Sequence, residues 1–119
     1  MRILIVDDTV LNLQLMEAVL EPENYDVVST ELGMESIRLA EEEDFDLILM
    51  DIGLPDISGT EAMHRIRKTK FGSKPIVAVT AHAMIGDKEE FETAGFDAYI
   101  SKPIKIDKTL EIISNLLNN

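Results

Sequence analysis

Three aspartates in this 119-residue chain directly follow short apolar runs, at positions where buried strands would end. Asp7 and Asp8 come after residues 3–6, and Asp51 comes after residues 47–50. If these ends converge, the carboxylates repel one another, and the pKa of at least one of them rises. Mg²⁺ prefers oxygen ligands and would relieve that repulsion. Alone, Asp7 and Asp8 would also suit a helix cap, but together with Asp51 they predict a divalent cation site.

Two further polar side chains follow later apolar runs, Thr80 as a hydroxyl and Lys102 as an ammonium group. A carboxylate beside a divalent cation and a lysine is suited to attack phosphorus, because phosphoryl transfer needs positioning and neutralised oxygen charge. Asp51 lies on the middle run, between the acidic pair and Lys102, and is therefore the candidate nucleophile. Its acyl phosphate would carry about one more negative charge than the carboxylate, which suits a switch sensed by Thr80.

The elements that must position these residues are short apolar runs separated by longer segments of helical period. The runs lack polar alternation, which is typical of strands covered on both faces. They are residues 3–6, 27–28, 47–50, 76–79 and 98–100. Short connections between parallel strands favour right-handed crossovers. We therefore predict one α/β domain over residues 1–119, a (βα)₅ doubly wound five-stranded parallel sheet of the flavodoxin-like, three-layer kind.

Composition excludes several classes of protein. The chain has 23 acidic and 11 basic residues, a formal net charge of −12 and no cysteine. A disulfide framework or a thiolate zinc site is therefore excluded, and an acidic surface disfavours binding to nucleic acid or to anionic membranes. No apolar run approaches the roughly 20 residues of a membrane span or the roughly 7–15 of a signal peptide core. We expect a cytoplasmic protein.

Several motifs, in order and over essentially the whole chain, resemble the receiver domains of two-component response regulators (CheY-like). Each motif alone is weak, but their combination at this spacing is specific. The matching segments are residues 3–8, 47–55, 58–59, 77–81 and 95–103. The resemblance implies a phosphorylatable receiver that catalyses only its own phosphorylation and dephosphorylation.

The resemblance also implies a role for each residue of the motifs. Asp51 would accept a phosphoryl group from a phosphohistidine, in a reaction that depends on Mg²⁺, with Mn²⁺ as an alternative ion. The implied metal ligands are Asp7, Asp8, Asp51 and the backbone carbonyl of Gly53. Thr80 would be the switch hydroxyl, Lys102 the phosphate-binding cation, Tyr99 the aromatic that rotates with the switch, and Lys102–Pro103 a cis peptide. Tyr99 could equally be ordinary core, and Gly53 and His82 are positions that could tune the phosphate lifetime.

The implied partners are a histidine kinase or histidine phosphotransfer protein and an unknown downstream protein, with the receiver a monomer or a phosphorylation-dependent dimer. We expect a stand-alone regulator, and a receiver excised from a hybrid histidine kinase is the alternative. A phosphatase with an aspartyl-phosphate intermediate would be a rival of another class. That chemistry uses a second carboxylate two residues after the nucleophile, where this chain has Gly53.

The first helical segment carries two apolar stripes, and only one is needed to cover the sheet. We assign the first stripe to the core: Leu11, Leu15, Ala18 and Val19. The second stripe would then be exposed and dock on the partner's helical bundle: Leu13, Met16 and Leu20. The alternative is one broad buried face. In the last helical segment the predicted core stripe is Ile106, Leu110, Ile113 and Leu117.

Overall fold

A computed structural model describes residues 1–81 and 87–118. Within them, five parallel strands form one sheet in the order β2-β1-β3-β4-β5. The strands are β1 (Arg2–Val6), β2 (Asp26–Thr30), β3 (Leu47–Asp51), β4 (Ile76–Thr80) and β5 (Ala98–Ser101). The helices are α1 (Val10–Leu20), α2 (Gly33–Glu42), α3 (Gly59–Ile66), α4 (Asp87–Ala94) and α5 (Ile106–Leu117), with a 3₁₀ turn (Glu21–Glu23) after α1. The predicted doubly wound α/β fold is confirmed.

The sheet separates two apolar cores, because successive side chains of a strand point to opposite faces. In β1, Leu4 and Val6 join the core beneath α2 and α3. Ile3 and Ile5 join the core beneath α1 and α5. The middle strands β3 and β4 are buried along their whole length. This burial on both faces explains why their sequences contain apolar runs without alternation.

The orientation of α1 differs from the prediction. Leu11 is 72% exposed and Leu15 is also exposed, whereas Leu13, Met16 and Leu20 pack into the core. The proposed docking face of Leu13, Met16 and Leu20 is therefore wrong. Both stripes are apolar at helical spacing, so the sequence pattern alone does not distinguish the stripe that packs on the sheet.

Two helix boundaries have clear local causes, and one predicted core stripe needs correction. The Ser58 hydroxyl accepts a hydrogen bond from the Glu61 N–H at 3.1 Å and caps α3, and Gly95, with φ of 124°, ends α4. In α5 the buried residues are Thr109 and Ile113, while Ile106 is exposed. No helix in the described part of the chain has the length and apolarity to cross a membrane.

Candidate functional site

The three aspartates meet at the carboxyl end of the sheet. Carboxylate oxygens of Asp7, Asp8 and Asp51 all lie within 4.8 Å of one another, with Asp7 and Asp51 buried and Asp8 exposed. The Lys102 ammonium lies 3.0 Å from Asp7 Oδ2 and 3.4 Å from Asp51 Oδ2. Three carboxylates therefore share one pocket, with the Lys102 ammonium close by.

Strand register brings these residues together. Val6 of β1 is paired with Met50 of β3, so the next residues, Asp7 and Asp51, lie side by side. On the other side, Thr80 at the end of β4 is paired with Ser101 of β5, and Lys102 follows directly. Since β3 lies in the middle of the sheet, Asp51 is flanked by the acidic pair on one side and by the Thr80–Lys102 side on the other.

The electrostatics of the pocket depend on burial. Removal from water raises the pKa of Asp51 above its ordinary range, the negative charge of Asp7 adds to this, and the Gly53 N–H and Lys102 only partly oppose it. For Lys102, burial alone would lower the pKa, but the hydrogen bond and charge of Asp7, with those of Asp51, raise it. Lys102 therefore stays protonated, and the Asp51 carboxyl loses its proton at a higher pH than an ordinary aspartate.

Asp7 is fixed by the chain that follows it. The Thr9 N–H donates to Asp7 Oδ1 at 2.9 Å, and the Asn12 side-chain amide lies 3.5 Å from both carboxylate oxygens. Thr9 is the N-cap residue of α1, and its own side chain makes no capping bond. Asp7 thus orders the start of the β1–α1 turn without capping the first turn of the helix, and its second oxygen still reaches Lys102.

The β3–α3 loop, residues 52–58, is tied down at both ends. The Gly53 N–H donates to Asp51 Oδ1 at 3.2 Å, and the Gly59 N–H donates to the Ile52 carbonyl at 2.8 Å. At Gly59 a Cβ would collide with the Asp51 carbonyl oxygen and lie 2.8 Å from Ile52 Cα. Helix α3 therefore begins against the backbone of the strand that carries Asp51, which only glycine allows.

One residue of this loop was missed by the sequence analysis. The Asp56 carboxylate accepts hydrogen bonds from the N–H groups of Gly33 at 2.9 Å and Met34 at 2.8 Å. Burial raises the pKa of Asp56, but the hydrogen bonds from backbone N–H groups, those of Met34 and Gly33 foremost, together outweigh it and lower the pKa. Asp56 is therefore the N-terminal cap of α2, supplied from 23 residues away from Gly33.

The remaining predicted residues lie around the pocket or beyond what is described. Thr80 is buried, and its carbonyl accepts from the Lys102 N–H at 2.8 Å. Tyr99 is half-buried, with its ring centroid 5.9 Å from that of Phe91 in α4. The Lys102–Pro103 peptide bond is cis, as the resemblance implied. His82 lies outside the described residues.

The donor set fits a divalent cation. Two buried carboxylates and one exposed carboxylate provide the oxygen atoms that Mg²⁺ prefers, and their mutual repulsion would be relieved by its charge. Asp7, Asp8 and Asp51 are therefore the residues that would hold the ion. Gly53 lies two residues beyond Asp51 in an exposed loop, and its carbonyl stays a predicted further ligand.

Mg²⁺ is expected to stabilise the wild-type domain and to have a weaker effect on Asp8→Asn. Asp8 is exposed, and the one hydrogen bond found for its carboxylate among the described residues is a 3.5 Å contact from the Thr9 hydroxyl, so this change should leave the fold intact while removing one ligand. An ion at about 100 times its Kd adds about 2.7 kcal/mol to the free energy of unfolding. Thermal unfolding with and without Mg²⁺ measures the effect. Equal gains in both proteins at the same Mg²⁺ concentration would exclude Asp8 as a ligand.

Comparison with known proteins agrees with this geometry. A family model described as response regulator receiver domain matches residues 3–114. The chain is 40% identical over 118 residues to the polar-differentiation response regulator DivK of Brucella ovis, covering 98% of this chain and 96% of that protein. A CheY-like receiver domain protein from Methanospirillum hungatei JF-1 is 37% identical with a TM-score of 0.89, over 98% of this chain and 93% of that one.

A second solved structure is the receiver domain of sensor histidine kinase PA1611 from Pseudomonas aeruginosa PAO1. It is 35% identical with a TM-score of 0.90, over 99% of this chain and 98% of that one, and it holds a magnesium ion in its active site cleft. The matched residues of the present chain include all three clustered aspartates, Thr80 and Lys102. Fold, site geometry and sequence similarity together establish that the chain belongs to the family of response regulator receiver domains.

Proposed function

We propose that this receiver accepts a phosphoryl group onto Asp51 from a phosphohistidine of a histidine kinase or histidine phosphotransfer protein. The observation that carries the proposal is the position of the Asp51 carboxylate, which is buried within the acidic cluster and 3.4 Å from the Lys102 ammonium. A carboxylate in that position is shielded from water, oriented by the Gly53 N–H and close to a fixed positive charge.

The transfer is a substitution at phosphorus. An Asp51 carboxylate oxygen forms a bond to phosphorus while the bond from phosphorus to the donor's imidazole nitrogen breaks. The electron pair of that bond returns to the ring, which carries a proton on its other nitrogen and leaves as neutral imidazole. Lys102 neutralises one phosphoryl oxygen and the Thr80 hydroxyl donates to another. Asp7, Asp8 and Asp51 would hold a Mg²⁺ ion, which would supply further charge neutralisation.

The proposal is tested by labelling the wild-type domain with acetyl phosphate and Mg²⁺. Intact-mass measurement should show a gain of one phosphoryl group, and peptide mapping should place it on Asp51. A chelator added before the phosphodonor should suppress the gain. If the wild-type domain gains no phosphoryl group even with Mg²⁺ present, or if the label lies on another residue, the assignment of Asp51 is overturned.

The phosphodonor is expected to dock on the outer face of α1. Three apolar side chains are exposed there: Val10, Leu11 and Leu15. Helix α1 begins two residues after Asp8, so this exposed face starts beside the opening of the acidic pocket. A partner that presents a phosphohistidine to Asp51 must cover the surface around the opening, and an exposed apolar patch there suits a helical bundle.

Leu11→Glu should slow phosphotransfer from the cognate phosphohistidine protein by about tenfold or more, because a charge would be buried in the interface. Its labelling by acetyl phosphate should be unchanged, since Leu11 is 72% exposed and contributes no group to the acidic cluster. Met34→Glu is a matched control, because Met34 is similarly apolar and exposed but lies on α2, on the other face of the sheet. Equal slowing by both variants, or loss of acetyl phosphate labelling in Leu11→Glu, would contradict docking on α1.

The output of the receiver follows from the added charge. A phosphoryl group on Asp51 would attract the Thr80 hydroxyl, and Tyr99 on the neighbouring strand packs against Phe91 of α4. We therefore place the phosphorylation-dependent contact with the downstream protein, or with a second receiver, on the surface formed by α4, β5 and α5. A stand-alone regulator is supported by the DivK relatives, and the hybrid-kinase alternative by the similarity to the receiver of a sensor histidine kinase.

A further inference from the structure

A cavity of about 430 Å³, separate from the acidic pocket, lies along β5, an edge strand of the sheet. It is lined by consecutive residues of β5, by the first two turns of α5 and by Glu92 of α4. None of the three clustered aspartates contributes to its walls. The volume falls in the range of about 300–1,000 Å³ that is typical of small-molecule sites.

Thr109 in the wall of this cavity has an unsatisfied polar group. The side chain is 1% exposed, and its hydroxyl has no hydrogen-bond partner within the described part of the chain. A buried hydroxyl without a partner destabilises a protein. Thr109 lines the cavity, so a ligand in the cavity would lie beside the residue that carries this buried hydroxyl.

The start of α5 adds further hydrogen-bond donors. Helix α5 has 12 residues, and its N-cap residue, Lys105, makes no side-chain capping bond. The first N–H groups of the helix therefore lack a capping side chain, and the helix dipole makes this end positive. Lys105 and Lys108 both line the cavity, and neither forms an ion pair with any residue that the structure describes.

The acidic residues nearby leave this positive charge largely uncompensated. Glu92 lines the cavity, and its carboxylate forms no ion pair with any residue in the described part of the chain. Asp97 also lines it, but its carboxylate is bound by Arg67 Nη2 at 2.9 Å and by the Ile76 N–H at 2.8 Å. Asp107 lies in the first turn of α5 but does not line the cavity. Among the described residues that line the cavity, two ammonium groups therefore face one carboxylate without an ion pair, on a chain whose net charge is −12.

We infer that this cavity is a binding site for a small organic anion, whose carboxylate or phosphate group accepts hydrogen bonds from the Thr109 hydroxyl and the first turn of α5. Lys105 and Lys108 supply the compensating charge. The cavity includes Tyr99 and Ser101 of β5 in its wall, so a bound anion would contact the strand that borders Thr80. The inference depends on the cavity alone and does not require that Asp51 be phosphorylated.

The test is a titration of ¹⁵N-labelled wild-type protein with succinate and, separately, with inorganic phosphate, without Mg²⁺ and at constant ionic strength. Saturable amide shifts are expected at Lys105, Lys108 and Thr109. Amides of Asp7 and Asp51 report separately on the acidic site. Tighter binding of succinate than of phosphate would identify a carboxylate ligand, and the reverse order a phosphate ligand. Shifts that do not saturate at α5 with either probe would overturn the inference.

Thr109→Val should weaken binding of the preferred probe about tenfold or more, because a hydrogen bond to a charged group is lost. The same variant should melt roughly 3–6 °C higher without ligand, since an unpartnered buried hydroxyl is replaced by a methyl group. Lys108→Gln should also weaken binding. Thr60→Val and Lys68→Gln, two substitutions of the same kind on α3 and just after it, are controls and should leave affinity unchanged. Unchanged affinity in Thr109→Val and Lys108→Gln would exclude the site.

Discussion

Asp51→Asn is expected to abolish phosphorylation of the receiver and, in buffer free of divalent ions, to make the protein more stable. The carboxamide has nearly the same shape as the carboxylate but lacks the nucleophilic charge, so no acyl phosphate forms. The wild-type side chain is a buried carboxylate close to Asp7. Removing its charge should raise the free energy of unfolding by about 1 kcal/mol at neutral pH.

The stability gain should depend on pH in a defined direction. Burial raises the pKa of Asp51 above its ordinary value of 3.8, so the folded protein keeps this proton to a higher pH than the unfolded chain does. Wild-type stability therefore falls, relative to Asp51→Asn, as the pH rises from 3.8 through the raised pKa. Below pH 3.8 the carboxyl is protonated in both states, and the difference should disappear.

Intact-mass labelling and chemical denaturation between acid and neutral pH measure the two effects. Asp26→Asn is the matched control, because Asp26 is an exposed aspartate at the start of β2 and should change neither property. Labelling that persists in Asp51→Asn would rule out Asp51 as the acceptor. A stability difference that does not vary with pH would rule out burial of its charge as the cause.

Gly59→Ala is expected to destabilise the domain by about 3 kcal/mol and to impair phosphorylation as a consequence. The added Cβ would collide with the Asp51 carbonyl oxygen and lie 2.8 Å from Ile52 Cα and 2.9 Å from the Asp51 carbonyl carbon. All three are backbone atoms, so no side-chain rotation can relieve the contact. Helix α3 or the end of β3 must move, and either movement displaces the Asp51 carboxylate from Lys102.

Gly53→Ala is the control for this steric effect, because it replaces a nearby glycine without creating a clash. A Cβ on Gly53 would meet no atom within 4 Å, so stability should stay within about 0.5 kcal/mol of wild type. The melting temperatures of the two variants provide the comparison. If Gly59→Ala melted like Gly53→Ala, the close approach of α3 to β3 would not constrain the site.

The strands and the acidic cluster could be predicted from sequence because their signals are local. An apolar run followed by an aspartate marks both the strand and its end, and the parallel topology then brings Asp7 beside Asp51. The orientation of α1 could not be predicted, because Leu11 and Leu13 belong to two stripes that are equally apolar. Only packing on the sheet distinguishes them.

Asp56 and Thr109 were missed for a different reason. The hydrogen-bond partners of Asp56 lie on α2, more than 20 residues earlier in the chain, so no local motif indicates a cap. Thr109 is a polar residue between the apolar positions of α5, which usually indicates exposure, yet the helix turns it inward beside Ile113. Long-range contacts and the rotation of a helix about its axis depend on the folded chain, so local sequence patterns do not indicate them.

The β3–α3 loop is held by hydrogen bonds at Gly53, Asp56 and Gly59, so its length is as important as its composition. Surface loops generally accept inserted or deleted residues. Here an insertion between Gly53 and Asp56 would pull the carboxylate away from Gly33 and Met34, or shift Gly53 away from the pocket. A deletion would break the Gly59–Ile52 hydrogen bond. This loop is therefore an unsuitable place for a tag or a domain insertion, although much of it is exposed.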